Sequence, residues 1–197
     1  LRAILRAGAG HNVKMMFPMI GTIDEIRLAK SLLAEVENDL ARENIPFDDA
    51  MAVGIMIEVP SAVAVADILA SEVDFFSIGT NDLTQYTMAA DRGNSNVAEL
   101  AQALNPAVLR LISQTVNAGH AAGIWVGMCG ELAGDAAAAP LLVGLGLDEL
   151  SMSAPSIPAV KEAIRSVTTA DARRLAETVL NLDSAQAVAD YLAAAAA

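Results

Sequence analysis

Hydrophobic positions along this chain follow two rhythms. Runs dominated by apolar residues at 14–20 (KMMFPMI), 52–57 (AVGIMI), 73–78 (VDFFSI) and 124–128 (IWVGM), with a short fifth segment at 149–152 (ELSM), predict strands, the first of them covered on both faces. Between them lie stretches with helical spacing. Thr22, with Glu25 three residues later, has the capping-box pattern and opens a helix to about Arg42 through Ile23, Ile26, Leu28, Leu32, Leu33, Val36 and Leu40. Ser61 is a good N-cap for a helix over 62–72. A third helix spans 107–122 and stops at Gly123; another starts at Gly134-Asp135 and ends near 144–146. Helices from about 157, 170 and 184 close the chain, with an alanine tail expected to fray. Residues 44–49, and the long stretch 90–106 rich in Gly, Asn and Ser, read as loops; a loop of the second length inside a compact domain is usually functional.

Strand and helix alternate throughout, so the class is α/β with a parallel sheet. Five units fill about five-eighths of a closed (β/α)8 barrel, which takes about 250 residues. The chain opens at Leu1, inside what reads as an uncapped amphipathic helix (LRAILRA), so the expectation is a longer protein whose upstream part supplies the other units.

Composition narrows the function. A formal net charge of −12 repels phosphate backbones and no basic cluster interrupts it, so nucleic acid is an unsuitable partner. The longest apolar stretch, residues 136–147 with Pro140 inside, is well short of the roughly 20 residues a bilayer span needs. A single cysteine forms no internal disulfide, which suits a reducing cytosol. Alanine inflates the hydrophobic fraction of 54%, and with only 4% aromatic residues the eight methionines read as core filling.

Candidate chemistry collects where a barrel would place it, at the C-terminal ends of strands. Glu58 ends the second strand, Asn81 and Asp82 follow the third, Cys129-Gly130-Glu131 follow the fourth and Ser151 to Ser153 end the fifth. Glu58 comes after six apolar residues and before a proline, and a carboxylate buried there needs a cation, a proton or donors. Taken singly, Glu58 also reads as a salt bridge or helix cap, Asp82 as the N-cap of a helix from Leu83, Arg92 as a surface arginine paired with Asp91, and Cys129 as an inert core thiol. Taken together, two carboxylates on neighbouring strand ends suit an oxygen-loving cation such as Mg²⁺. Backbone N–H groups at Asn81 and Asp82 favour an anion, and Arg92 suits a phosphate. His11 and His120 read as surface or helix-end residues rather than catalysts.

The strings MFPMI, GIMIEVPSA, DFFSIGTNDLTQYTMAADRGN and GMCGELAGD resemble the PEP-utilising C-terminal domain of enzyme I of the bacterial phosphoenolpyruvate:sugar phosphotransferase system, from Leu1 to about Ser166. That resemblance implies a TIM barrel of the phosphoenolpyruvate/pyruvate type, with residues 1–197 forming its C-terminal part, and dimerisation through this domain. It implies Mg²⁺ held by Glu58 and Asp82, phosphoenolpyruvate bound by Asn81, Asp82 and Arg92, and Cys129 as the donor that protonates the enolate to pyruvate. It implies a phosphohistidine and two more substrate arginines upstream of Leu1, and transfer onward to the small carrier HPr in the cytoplasm. Lacking those groups, the chain alone is expected to transfer no phosphate, and an open barrel should expose strand edges. Other readings of the same residues are the C-terminal domain of a pyruvate phosphate dikinase or phosphoenolpyruvate synthase, a metal-dependent aldolase, and a phosphoenolpyruvate-sensing module without turnover.

Overall fold

A computed structural model describes residues 1–195. Five strands form one parallel sheet in sequential order: β1 (Met15–Phe17), β2 (Val53–Ile57), β3 (Phe75–Gly79), β4 (Trp125–Cys129) and β5 (Glu149–Leu150). Parallel neighbours in chain order require a helical crossover after each strand, and these are α2 (Ile23–Arg42), α3 (Pro60–Ala64) with α4 (Ala66–Ala70), α5 (Thr80–Met88) with α6 (Pro106–Ala121), and α7 (Ala139–Gly144). A short α1 (Arg2–Gly8) precedes the sheet, and α8 (Ile157–Arg165), α9 (Thr169–Val179) and α10 (Ala185–Ala195) follow it. The class is α/β, five consecutive β/α units in the strand order of a (β/α)8 barrel.

Strand alternation sorts the two faces. Ile55, Ile57, Phe76, Ile78, Val126 and Met128 are wholly buried against helix residues such as Leu69, Leu109 and Ile112. Burying each such side chain contributes about 1.5–3 kcal/mol. The opposite face carries Met56, Glu58, Phe75, Ser77, Trp125 and Cys129, one residue out of phase. There the Phe75 and Trp125 rings stack at 4.4 Å, and Gly54 leaves the room: a Cβ on it would stand 2.5 Å from the Phe75 ring. A second cluster, Leu5, Met15, Leu33, Leu40 and Met51, seats α1 and α2 on the sheet.

Several expected boundaries move. The first strand stops at Phe17, because Pro18 cannot donate and Met19 turns left-handed with φ 55. On α2, Ile26, Leu33 and Leu40 are buried as the pattern requires, whereas Leu28 and Leu32 face solvent at 61% and 45% exposure. The capping box is present: the Glu25 carboxylate accepts from the N–H of Gly21 and Thr22 at 2.8 and 2.9 Å. Ser61 is not an N-cap. Val59 caps α3 with Pro60 in the first turn, and the Ser61 hydroxyl donates to the Gly21 carbonyl at 3.2 Å. The helix expected over 62–72 breaks at Val65, and the Gln114 amide donates to the Val63 carbonyl at 3.2 Å. Residues 131–134 form a 3-10 turn, so α7 begins at Ala139 rather than at Gly134-Asp135, and β5 is two residues long. The last two residues of the alanine tail lie outside the described residues.

At the N-terminal edge of the sheet two aspartates do the same job. Asp74 accepts from the Val53 N–H at 2.7 Å, and Asp148 accepts from the Val126 N–H at 2.8 Å and meets His120 Nε2 at 2.9 Å. Partial burial alone would raise Asp148; the Val126 N–H and His120 outweigh it, and the carboxyl titrates below its usual range. His120 thus closes a helix end, as expected from its position.

The tightest helix contact outside the sheet is α7 on α9. A Cβ on Gly144 would overlap the Ala172 carbonyl and stand 3.0 Å from the Ala176 Cβ. Backbone cannot yield as a flexible side chain can, so Gly144→Ala should cost about 3 kcal/mol, read as a lowered urea midpoint with unchanged slope.

Candidate active site

Expected site residues converge at the C-terminal mouth of the sheet. Register explains the convergence: Gly79 pairs with Cys129, and Ser77 pairs with Gly127, which pairs in turn with Glu149. Glu58, just past β2, completes the upper row by lying over Gly79, where an added Cβ would stand 2.7 Å from Glu58 Oε2. Only glycine at position 79 leaves that carboxylate its place.

Glu58 is 3% exposed. Its Oε1 accepts from the Met19 N–H at 2.7 Å, which gives the left-handed turn at Met19 a role: the strained backbone points a donor at a buried acid. Burial pushes the Glu58 carboxyl up, the Met19 N–H pulls it down, and Asp82 beside it pushes it up again. Asp82 sits in the first turn of α5, which begins at Thr80, three residues earlier than expected; Gly79, not Asp82, is the N-cap. The first-turn N–H groups of Thr80, Asn81 and Asp82 therefore open toward the same mouth with no side-chain cap.

Arg92 does not pair with Asp91. Its guanidinium meets Asp82 Oδ1 at 3.3 Å, while Asp91 Oδ1 accepts from the Gly93 N–H at 2.8 Å. The Arg92 N–H donates to Gln85 Oε1 at 3.2 Å, which ties the loop to α5. Asn81 Oδ1 accepts from the Glu131 N–H at 3.1 Å, and Thr80 donates to the Cys129 carbonyl at 3.2 Å. These two bonds hold the β4 end against α5, and Gly130, at φ 100, makes the turn; a Cβ on it would strike Thr80 Oγ1.

Cys129 is half-buried at the end of β4 rather than sealed in the core. Burial pushes its thiol up, the Ser77 hydroxyl facing it pulls the other way, and the nearby charges of Glu58 and Glu149 add to the rise. The group is therefore held as a thiol at neutral pH, suited to giving a proton rather than to attacking. Beside these residues opens a cleft of about 500 Å³ lined by Asn81, Gly130, Glu131, Asp135, Met152 and Ser153.

Glu58, Asn81, Asp82 and Cys129 stand at the strand ends the sequence predicts, and Arg92 reaches the same mouth, but their supporting contacts are not legible in the sequence. Thr80, lying in the GTND string, was visible as part of a polar turn. Met19 and Ser77 looked like ordinary members of apolar runs, and nothing local distinguished them.

A family model described as PEP-utilising enzyme, PEP-binding domain, matches residues 1–169. The chain is 53% identical over 192 residues to the phosphoenolpyruvate-protein phosphotransferase of Geobacillus stearothermophilus, covering 98% of this chain and 33% of that one. It is 52% identical over 185 residues to the protein of the same name from Haemophilus influenzae, covering 94% of this chain and 32% of that one. The chain thus spans about a third of the length of the curated relatives it matches. Among solved structures it resembles a citrate lyase from Burkholderia xenovorans with a TM-score of 0.58 at 21% identity, over 98% of this chain and 65% of that one. It also resembles the CitE protein of Mycobacterium tuberculosis in complex with magnesium and acetate, with a TM-score of 0.51 at 14% identity, over 86% of this chain and 66% of that one. At those identities the likeness speaks to the fold alone.

Proposed function

Since the chain belongs to the PEP-binding domain family of the PEP-utilising enzymes, we propose that it is the substrate-binding part of a phosphoenolpyruvate-protein phosphotransferase. In that reading phosphoenolpyruvate gives its phosphoryl group to a histidine elsewhere in the protein, and pyruvate is released here. The observation that carries it is the placement of Glu58, Asp82, Asn81, Arg92 and Cys129 around one mouth.

The residues fit a divalent cation. Two carboxylates stand side by side, one of them buried, and like charges so placed call for positive charge between or beside them. An oxygen-only donor pair with room for further ligands suits Mg²⁺. Glu58 and Asp82 would hold it, and when bound it supplies charge neutralisation for the phosphoryl group. Asn81 and the first-turn N–H groups of α5 orient the phosphate end of the substrate. Arg92, half-exposed and already reaching across to Asp82, is placed to close on the same phosphate with charge-assisted hydrogen bonds of about 1.5–3 kcal/mol each. Cys129, kept protonated, donates the thiol hydrogen to C3 of enolpyruvate. HPr as the onward acceptor, a homodimer through this domain and a cytoplasmic location complete the reading; no helix among the described residues is long and apolar enough to cross a membrane.

Full-length protein incubated with labelled phosphoenolpyruvate and Mg²⁺ should acquire acid-labile phosphohistidine and release one pyruvate per phosphoryl group. Labelling that requires ATP and inorganic phosphate would instead identify a dikinase. Phosphoenolpyruvate binding by calorimetry with no pyruvate released would identify a sensing module.

A further inference from the structure

Glu149 takes no part in the chemistry above, yet it lies beneath it. On β5 it joins the row Met56, Ser77, Gly127 and Glu149, directly below the row of Gly79 and Cys129. Gly127 makes the placement possible: a Cβ there would run into Glu149 Oε2 and stand 3.1 Å from the Trp125 ring. The carboxyl tip is therefore folded over the backbone of β4, on the same face as Cys129 and two residues before it. Glu149 as a residue stays exposed, and among the described residues no strand pairs with the far side of β5.

The contrast with its neighbour is informative. Asp148 is held by a backbone N–H and a histidine, as a structural acid at a strand end should be. Among the described residues no donor or cation offsets the burial that pushes Glu149 up. An acid without a partner, on the same face as a thiol and one row below it on the adjoining strand, is placed to pass a proton.

We propose that Glu149 is the proton reservoir for Cys129, an inference that rests on the reading of Cys129 as proton donor. When the thiol S–H breaks and the new C–H forms on enolpyruvate, sulfur is left as thiolate. The Glu149 carboxyl then gives its O–H proton to the sulfur and becomes carboxylate. Solvent then restores its proton. In the reverse direction the same path drains the proton that Cys129 takes from the methyl group of pyruvate.

The test uses the full-length protein and three variants, Glu149→Gln, Glu149→Asp and Cys129→Ala. Two rates are compared: exchange of the pyruvate methyl hydrogens with deuterated water, and formation of phosphoenzyme from phosphoenolpyruvate. Glu149→Gln keeps size and polarity but carries no acidic proton, and should slow exchange by about 10- to 100-fold with phosphoenzyme formation within about twofold of wild type. Glu149→Asp should recover part of the exchange. Exchange within about twofold of wild type in Glu149→Gln overturns the proposal, and so does an equal fall in both rates, the mark of a structural role. Cys129→Ala separates the two levels: if it retains exchange, the donor reading itself fails; if it loses exchange while Glu149→Gln keeps it, only the reservoir fails.

Discussion

Replacing Cys129 by alanine in the full-length protein should slow pyruvate formation by about 10²- to 10⁴-fold, the range a positioned general acid contributes, while Mg²⁺ affinity stays nearly unchanged. The physical basis is the division of the mouth. Cys129 sits at the end of β4, and the carboxylates come from the β2 end and the first turn of α5. Alanine removes the thiol hydrogen without disturbing Glu58, whose own support is the Met19 N–H. Thr80 bonds to the Cys129 carbonyl, not to its side chain, so the β4 end also keeps its anchor. Steady-state pyruvate release and calorimetric Mg²⁺ titration check the two halves separately. An equal loss of both would mean that the cysteine is structural.

Glu58→Gln should show the opposite profile. Loss of one of the two proposed anionic ligands is expected to weaken Mg²⁺ by at least about 100-fold, at the upper end of what even supporting residues cost. The amide oxygen of Gln can still accept from the Met19 N–H, so the turn at Met19 survives. Stability moves the other way. The Glu58 carboxyl is raised above its unfolded value by burial, with Asp82 adding to the rise against the Met19 N–H. A raised acid penalises the folded state once it ionises. The penalty is absent below the unfolded value of about 4.3, grows as pH rises toward the folded value, and is fully present above it. Metal-free wild type should therefore lose stability relative to Glu58→Gln as pH climbs through that window, with the two converging in acid. Urea midpoints across pH measure this directly, and a variant less stable than wild type at neutral pH would contradict it. Stability withheld at a site in this way is a common accompaniment of function.

Much of this architecture is written locally. Continuous apolar runs mark strands covered on both faces, and Thr22 with Glu25 marks a helix start, because both depend only on near neighbours and on the choice of phase. The clustering of Glu58, Asn81, Asp82 and Cys129 follows as soon as the strands are parallel, since parallel strands bring all their C-terminal ends to one side.

What the local pattern cannot carry is which neighbour each group meets. Ser61 has the chemistry of a cap, but Pro60 already occupies the first turn and Gly21 offers its carbonyl from another element. Arg92 has an acid beside it at Asp91, yet the loop carries the guanidinium to Asp82. Leu28 and Leu32 fit a helical stripe, but the face buried is the one that the sheet touches.

By itself, then, the sequence determined the class, the order of units and which candidate site residues stand at the strand ends, all consequences of periodicity and residue type. Only the tertiary structure decided that Met19 gives its N–H to Glu58, that Ser77 faces Cys129 and that Glu149 folds over Gly127. Those contacts join residues on separate strands or loops, and strand register, which sets them, is a property of the packed sheet rather than of any one segment.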